Sequence, residues 1–174
     1  ATGERETLLN APTMFQAAQR IGRAIRLVYE TESAGLAAGQ LEFELAFLFG
    51  GQIKDGPLRL YMIYAAGNFI ECTTDTPYLQ IGEHKYGKPI LDRVARPTMG
   101  LGEAAKLILL SFDSTLRSNL SVGMPIDILL YERDSLDVSR EKRIFQDDEY
   151  FKKLSTLWSE ALRSAFTKIE EFDV

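Results

Sequence analysis

The sequence predicts an α+β fold in which antiparallel sheets carry packed helices. Three observations predict it. Strand-like segments arrive in runs rather than in strict alternation with helices, in the order helix, strands, two helices, strands, helix. Segments with apolar residues every three or four positions stand near both ends of the chain. Short Gly-bearing turns join neighbouring strand-like runs, as hairpins require. The 174 residues, 45% hydrophobic and 26% charged, suit one globular domain. A domain of that size buries roughly 70% of its unfolded surface, so its core needs no disulfide or metal.

The first ten residues are polar. Asn10 can cap a helix and Pro12 suits a first turn. Met14, Ala17, Ala18, Ile21, Ala24, Ile25 and Val28 then recur at helical spacing, with Gln and Arg residues between them. The spacing predicts an amphipathic helix over 12–30. The stretch that follows, with two glycines and a serine, reads as a loop. Leu41, Phe43, Leu45 and Phe47 alternate with Glu42 and Glu44, a strand pattern that ends at Gly50–Gly51. Turn chemistry at 54–57 and again at Gly67–Asn68 divides a meander of three strands over about 41–73.

A short helix is expected around 89–96. A longer one runs from Leu101 to about Ser118, with Ala104, Ala105, Ile108, Phe112 and Leu116 on one face. Leu107, Leu109 and Leu110 broaden that face, which predicts burial between layers. Two strands follow, near 124–133 and before Phe145. Asp147 and Asp148 suit a helix start, and apolar residues from Tyr150 to Phe172 keep helical spacing. Trp158 is expected in the core.

Bulk chemistry excludes several classes. The net charge of −5 comes with interspersed signs and no basic stripe, which argues against a nucleic-acid partner. No apolar run approaches the ~18 residues of a membrane span. Cys72 is the single cysteine and fits a reducing cytoplasm. His84 is the single histidine, so a metal site built on histidines is excluded and no metal is expected. No Walker loop, no G-x-G-x-x-G and no G-x-S-x-G occurs, and no cofactor is expected. Asp113, Asp92 and Arg93 read as surface or ion-pair residues. Taken alone, these features describe an α/β domain without a chemical signature.

Longer strings carry more. The segment 47–71, FLFGGQIKDGPLRLYMIYAAGNFIE, resembles the central meander of proteasome-type β subunits. The string YLQIGEHKYGKPILDRV sits where that family has a Gly-bearing loop leading into a helix. The strings AGNFIE, SFDSTLRSNLSVGMPID and LLYERDSL are similar to those of its bacterial branch, the ancestral β subunit group called Anbu. The resemblance covers about 41–134 and extends to both flanking helices. It implies a four-layer αββα sandwich of the Ntn-hydrolase type, with two antiparallel sheets face to face and helices outside both.

The same resemblance implies a mechanism. An N-terminal Thr or Ser attacks the peptide carbonyl, and its own α-amino group, with a pKa of about 8, serves as base. Lys, Asp and a loop serine tune and orient it, and backbone N–H groups hold the oxyanion. No histidine is required. Carried over by position, the family's Asp-x-x-Ser/Thr loop falls on Ser118–Asn119–Leu120–Ser121. Ser121 matches the loop serine. Ser118 stands in place of the acid, which removes a tuning charge. Gly82, Glu83 and His84 replace a Gly-Ser-Gly loop, and Glu83 and His84 are candidates to compensate through polar contacts.

The family nucleophile opens a buried β-strand, whereas Thr2 is followed by a polar stretch and a helix. The chain is therefore expected to be one proteasome-type domain, 1–174, lacking its N-terminal strands, roughly 50–80 residues. Those strands would carry the nucleophile, its Lys and its Asp, and the chain alone is not expected to hydrolyse peptides. The implied partners are further copies, in a ring-like or stacked assembly, and peptide or unfolded-protein substrates. Two alternatives stand beside the peptidase: a non-proteolytic scaffold subunit of the same fold, and a small-molecule-binding α/β domain.

Overall fold

The computed structural model describes residues 6–40 and 42–173. Thr2 and Leu41 lie outside the described residues. Helix and sheet are mixed, as expected, and the chain gathers into two compact units. One unit holds the residues up to Gly82 together with Tyr131–Asp137, and the other holds Glu83–Leu130 and the residues from Val138 onward.

In the first unit a 3-10 turn, Leu8–Asn10, precedes helix α1, Met14–Ala38. Asn10 does not cap α1. Its side-chain oxygen accepts the Thr7 N–H at 2.8 Å. Thr13 is the cap, and its Oγ1 accepts the Gln16 N–H at 3.2 Å. The segment expected as a loop after residue 30 continues α1 to Ala38. Ala34, Leu36, Ala37 and Ala38 are strong helix formers, and Gly35 alone is too weak a break.

Strands β1 (Ala46–Gly51), β2 (Arg59–Tyr64) and β3 (Phe69–Glu71) form the expected antiparallel meander. Ala46 opposes Tyr64, and Tyr61 opposes Glu71. Among the described residues the ladder begins at Ala46, although Phe43 and Leu45 before it still pack on the core. That core joins Met14, Ala18 and Ile25 of α1 to Tyr61 and Ile63 of β2. The helix approaches the β2–β3 turn closely. A Cβ on Gly22 would lie 2.1 Å from the Gly67 carbonyl oxygen, and Gly67 itself has φ +75°. Only glycine fits either position. Arg26 donates to the Gly67 carbonyl at 3.1 Å beside this contact.

In the second unit, helix α2 (Lys88–Val94) lies against α3 (Leu101–Ser118). Gly87 is buried here, because a Cβ would meet the Ser111 hydroxyl at 2.1 Å. Strands β4 (Ile126–Leu129) and β5 (Glu141–Ile144) pair antiparallel, and α4 spans Glu149–Phe166. Leu109, Ile126, Ile144, Phe151 and Leu154 form the core. Asp148 caps α4, accepting the Phe151 N–H at 2.9 Å. The helix stops at Phe166 rather than near 172.

The expected apolar face of α3 is buried only in part, along Leu107, Leu109, Leu110 and Leu116. Ile108 is 44% exposed and Phe112 37%, whereas Leu107, Leu109, Ser111, Asp113 and Thr115 are buried. Close approach to Gly87 selects the small polar residues, and the Thr115 hydroxyl satisfies itself on the Ser111 carbonyl at 2.9 Å. Asp113, expected at the surface, is 4% exposed and pairs with Arg117 at 3.2 Å. Trp158, expected in the core, is half-buried. It lines an apolar groove with Leu110, Leu157 and Ala161.

Candidate functional site

The loop that closes α3 organises around Asn119. This residue ends the helix with its backbone N–H on the Thr115 carbonyl at 2.9 Å. Its side-chain oxygen then accepts two bonds from Ser121, 2.8 Å from the backbone N–H and 2.7 Å from Oγ. Such an Asx turn is what asparagine does readily at a helix end. The side-chain amide donates in turn to Glu83 Oε2 at 2.7 Å, from 36 positions away in the chain. This bond fixes which end of the amide faces Ser121.

Glu83 is held as a carboxylate. The Lys85 N–H donates to Oε1 at 2.8 Å and is the leading cause of a pKa below the usual carboxylate range. Desolvation opposes this next, and the Asn119 amide, the Lys85 charge and the His84 backbone N–H then lower the pKa further. The arrangement is a relay of orientation. A carboxylate anchors an amide, the amide holds the serine hydroxyl as a donor, and Oγ keeps its lone pairs free to accept a further proton donor.

The structure thus brings together Glu83 and Ser121, with His84 contributing its backbone N–H. Ser118 is exposed at the last turn of α3. Gly82 takes φ +80°, with open space around the position a Cβ would fill. The pivotal residue is Asn119, which sequence reasoning placed in the loop without a role. Ordinary helix-end capping explained it equally well, and nothing in the sequence signals a contact with Glu83. Cys72, the single cysteine, is disfavoured as a thiolate, because burial and then the charge of Glu71 push its pKa up. Among the described residues no group of three or more His, Cys, Asp or Glu side chains gathers as a metal site. No helix among them is long and apolar enough to cross a membrane.

A solved structure of a Gly-1 mutant of Anbu from Hyphomicrobium sp. strain MC1 is 63% identical to this chain, with a TM-score of 0.89. The match covers 97% of this chain and 70% of that one. The chain belongs to the Anbu family. Anbu, the ancestral β-subunit, from Yersinia bercovieri is 44% identical over 99% of this chain and 71% of its own, with a TM-score of 0.90. A structure described as the helical assembly of the Anbu complex from Pseudomonas aeruginosa is likewise 44% identical, covering 99% and 71%, with a TM-score of 0.91. No protein-family model matches the chain, and no curated protein matches it. In this Anbu chain the loops that carry the site, 82–88 and 118–122, both fall inside the aligned region.

Proposed function

We propose that this chain is part of a self-associating, proteasome-type peptidase subunit in which Ser121 orients an N-terminal Thr or Ser nucleophile. The nucleophile is carried outside the described residues, and the fold it completes is a four-layer αββα sandwich. The observation that carries this reading is the Glu83–Asn119–Ser121 relay, at the loop where the family resemblance puts the supporting serine. With Ser118 in place of the usual acid, the anchored Glu83 supplies the local negative charge, and Asn119 transmits its positioning effect to Ser121. An α-amine of pKa about 8 is partly neutral at working pH and takes the nucleophile's proton. Substrates are peptides or unfolded chains, and the compartment is the cytoplasm.

The test is hydrolysis of fluorogenic peptides by the complete gene product and its Ser121→Ala variant. The variant is expected to lose on the order of a hundredfold in kcat with KM little changed. Equal rates would sink the assigned role of Ser121. A second reading, a scaffold subunit with little proteolysis, draws on Ser118 standing where the family has its acid and on the helical assembly of the Pseudomonas aeruginosa relative. Absence of turnover from a fully assembled protein with an intact N-terminal residue would favour it.

A further inference from the structure

A cavity of about 470 Å3 opens at the start of α1 and is lined by Pro12, Thr13, Met14 and Phe15, the 53–57 turn, Arg59, Tyr61 and Glu71. Its polar lining is rich in unused donors. Thr13 takes up the Gln16 N–H, which leaves the Met14 and Phe15 N–H groups of a 25-residue helix without acceptors among the described residues. Tyr61 is only 2% exposed, with its ring held edge-on to Phe69 at 5.4 Å. Its hydroxyl makes no hydrogen bond among the described residues, and solvent reaches it. Burial, and then the charge of Glu71, raise its pKa, so the hydroxyl stays protonated and remains a donor. Lys54, an exposed residue, also lines the cavity. Arg59 is paired with Glu71 and offsets part of that acid's charge at the hydroxyl.

We propose that this cavity binds a small organic acid, its oxyanion set between the α1 N-terminus, the Tyr61 hydroxyl and Lys54. The helix dipole and orphan N–H groups favour a negative oxygen at that point. Pro12, Ile53 and Pro57 supply apolar walls for the body of the ligand. Asp55 and the Arg59–Glu71 pair at the rim set a limit on charge: a single oxyanion is preferred to a polyanion. The inference does not depend on the peptidase reading, because the cavity and the Glu83–Asn119–Ser121 loop share no residue.

Calorimetric titration of the full chain with benzoate, phenyl phosphate and benzyl alcohol tests it. Saturable binding of benzoate or phenyl phosphate at millimolar concentrations is expected, with none for the neutral alcohol. The first two probes separate a carboxylate from a phosphoryl ligand. Tyr61→Phe keeps the ring in the core and should weaken binding about tenfold, the worth of one hydrogen bond to a charged acceptor. Lys54→Gln, at an exposed position, should weaken it less and flatten its salt dependence. Equal binding of benzyl alcohol, an undiminished affinity in Tyr61→Phe, or no saturable heat with either acid would overturn the proposal.

Discussion

Helices α1 and α3 look alike in sequence and end differently. Each has an apolar stripe at helical spacing. In α1 the first part of the stripe is the buried face, with Met14, Ala17, Ala18 and Ile25 all under a tenth exposed, whereas Val28 at its end is half-exposed. In α3 Ile108 and Phe112 of the stripe remain open, and the unit's own contacts are made by Leu107, Leu109, Leu110, Leu116 and three polar residues. Periodicity reports that a helix has a face to hide. Which face a particular neighbour takes depends on residues too small to show in the pattern, here Gly22 against Gly67 and Gly87 against Ser111.

The largest test of this contrast compares two isoleucines. Ile25 of α1 is only 5% exposed, and Ile25→Ala should cost about 2–5 kcal/mol through lost transfer energy and a residual cavity. Ile108→Ala should cost within about 0.5 kcal/mol, as exposed substitutions do. Urea unfolding midpoints at constant slope measure both. Comparable losses would mean that α3 hides its stripe as α1 does. The next test uses glycines of the second unit. Gly87→Ala drives a methyl into the Ser111 hydroxyl and should cost about 1–3 kcal/mol. Gly102→Ala, in the first turn of α3 with nothing within 4 Å, should instead stabilise by about 0.5 kcal/mol. Two changes of the same type are thus expected to differ in sign because one glycine is a contact and the other is not.

Local chemistry made much of the fold legible. The turns at 54–57 and Gly67–Asn68, the span 101–118 and the acidic start of α4 all stand where sequence chemistry puts them, since each depends on residues a few positions apart. The extension of α1 past residue 30 was hidden by two glycines and a serine, although the alanines around them decide the outcome. At the site, Ser121 and Glu83 were identifiable only through resemblance. Asn119, the residue that joins them, gives a signal indistinguishable from ordinary capping, because its partner is 36 positions away.

A smaller effect separates the two ends of the second unit by pH. Lys142, followed by the Phe151 N–H, holds the Asp148 carboxyl below the usual carboxylate range. A group with a depressed folded pKa gives stability that is present above its unfolded value, about 3.9, and is lost as pH falls through the folded one. Asp148→Asn should therefore flatten the acid limb of the stability curve below about pH 4. An unchanged acid limb would show that the Lys142 contact does not persist in solution.

The smallest effect belongs to Glu83, and it tests whether the loop relay is built as described. Glu83 is also depressed, first by the Lys85 N–H and, after an opposing effect of desolvation, by the Asn119 amide. Asn119→Ala removes one donor and leaves the leading one. The Glu83 carboxyl should then titrate at a higher pH than in the parent protein, yet still below the ordinary glutamate value of about 4.3. Carbon-detected NMR of the side-chain carboxyl follows this directly. The same substitution frees the Ser121 hydroxyl from its acceptor, so exchange of that proton should speed up at every pH. If Glu83 titrates identically in both proteins, Asn119 does not bridge the two loops, and Ser121 is oriented by its own turn alone.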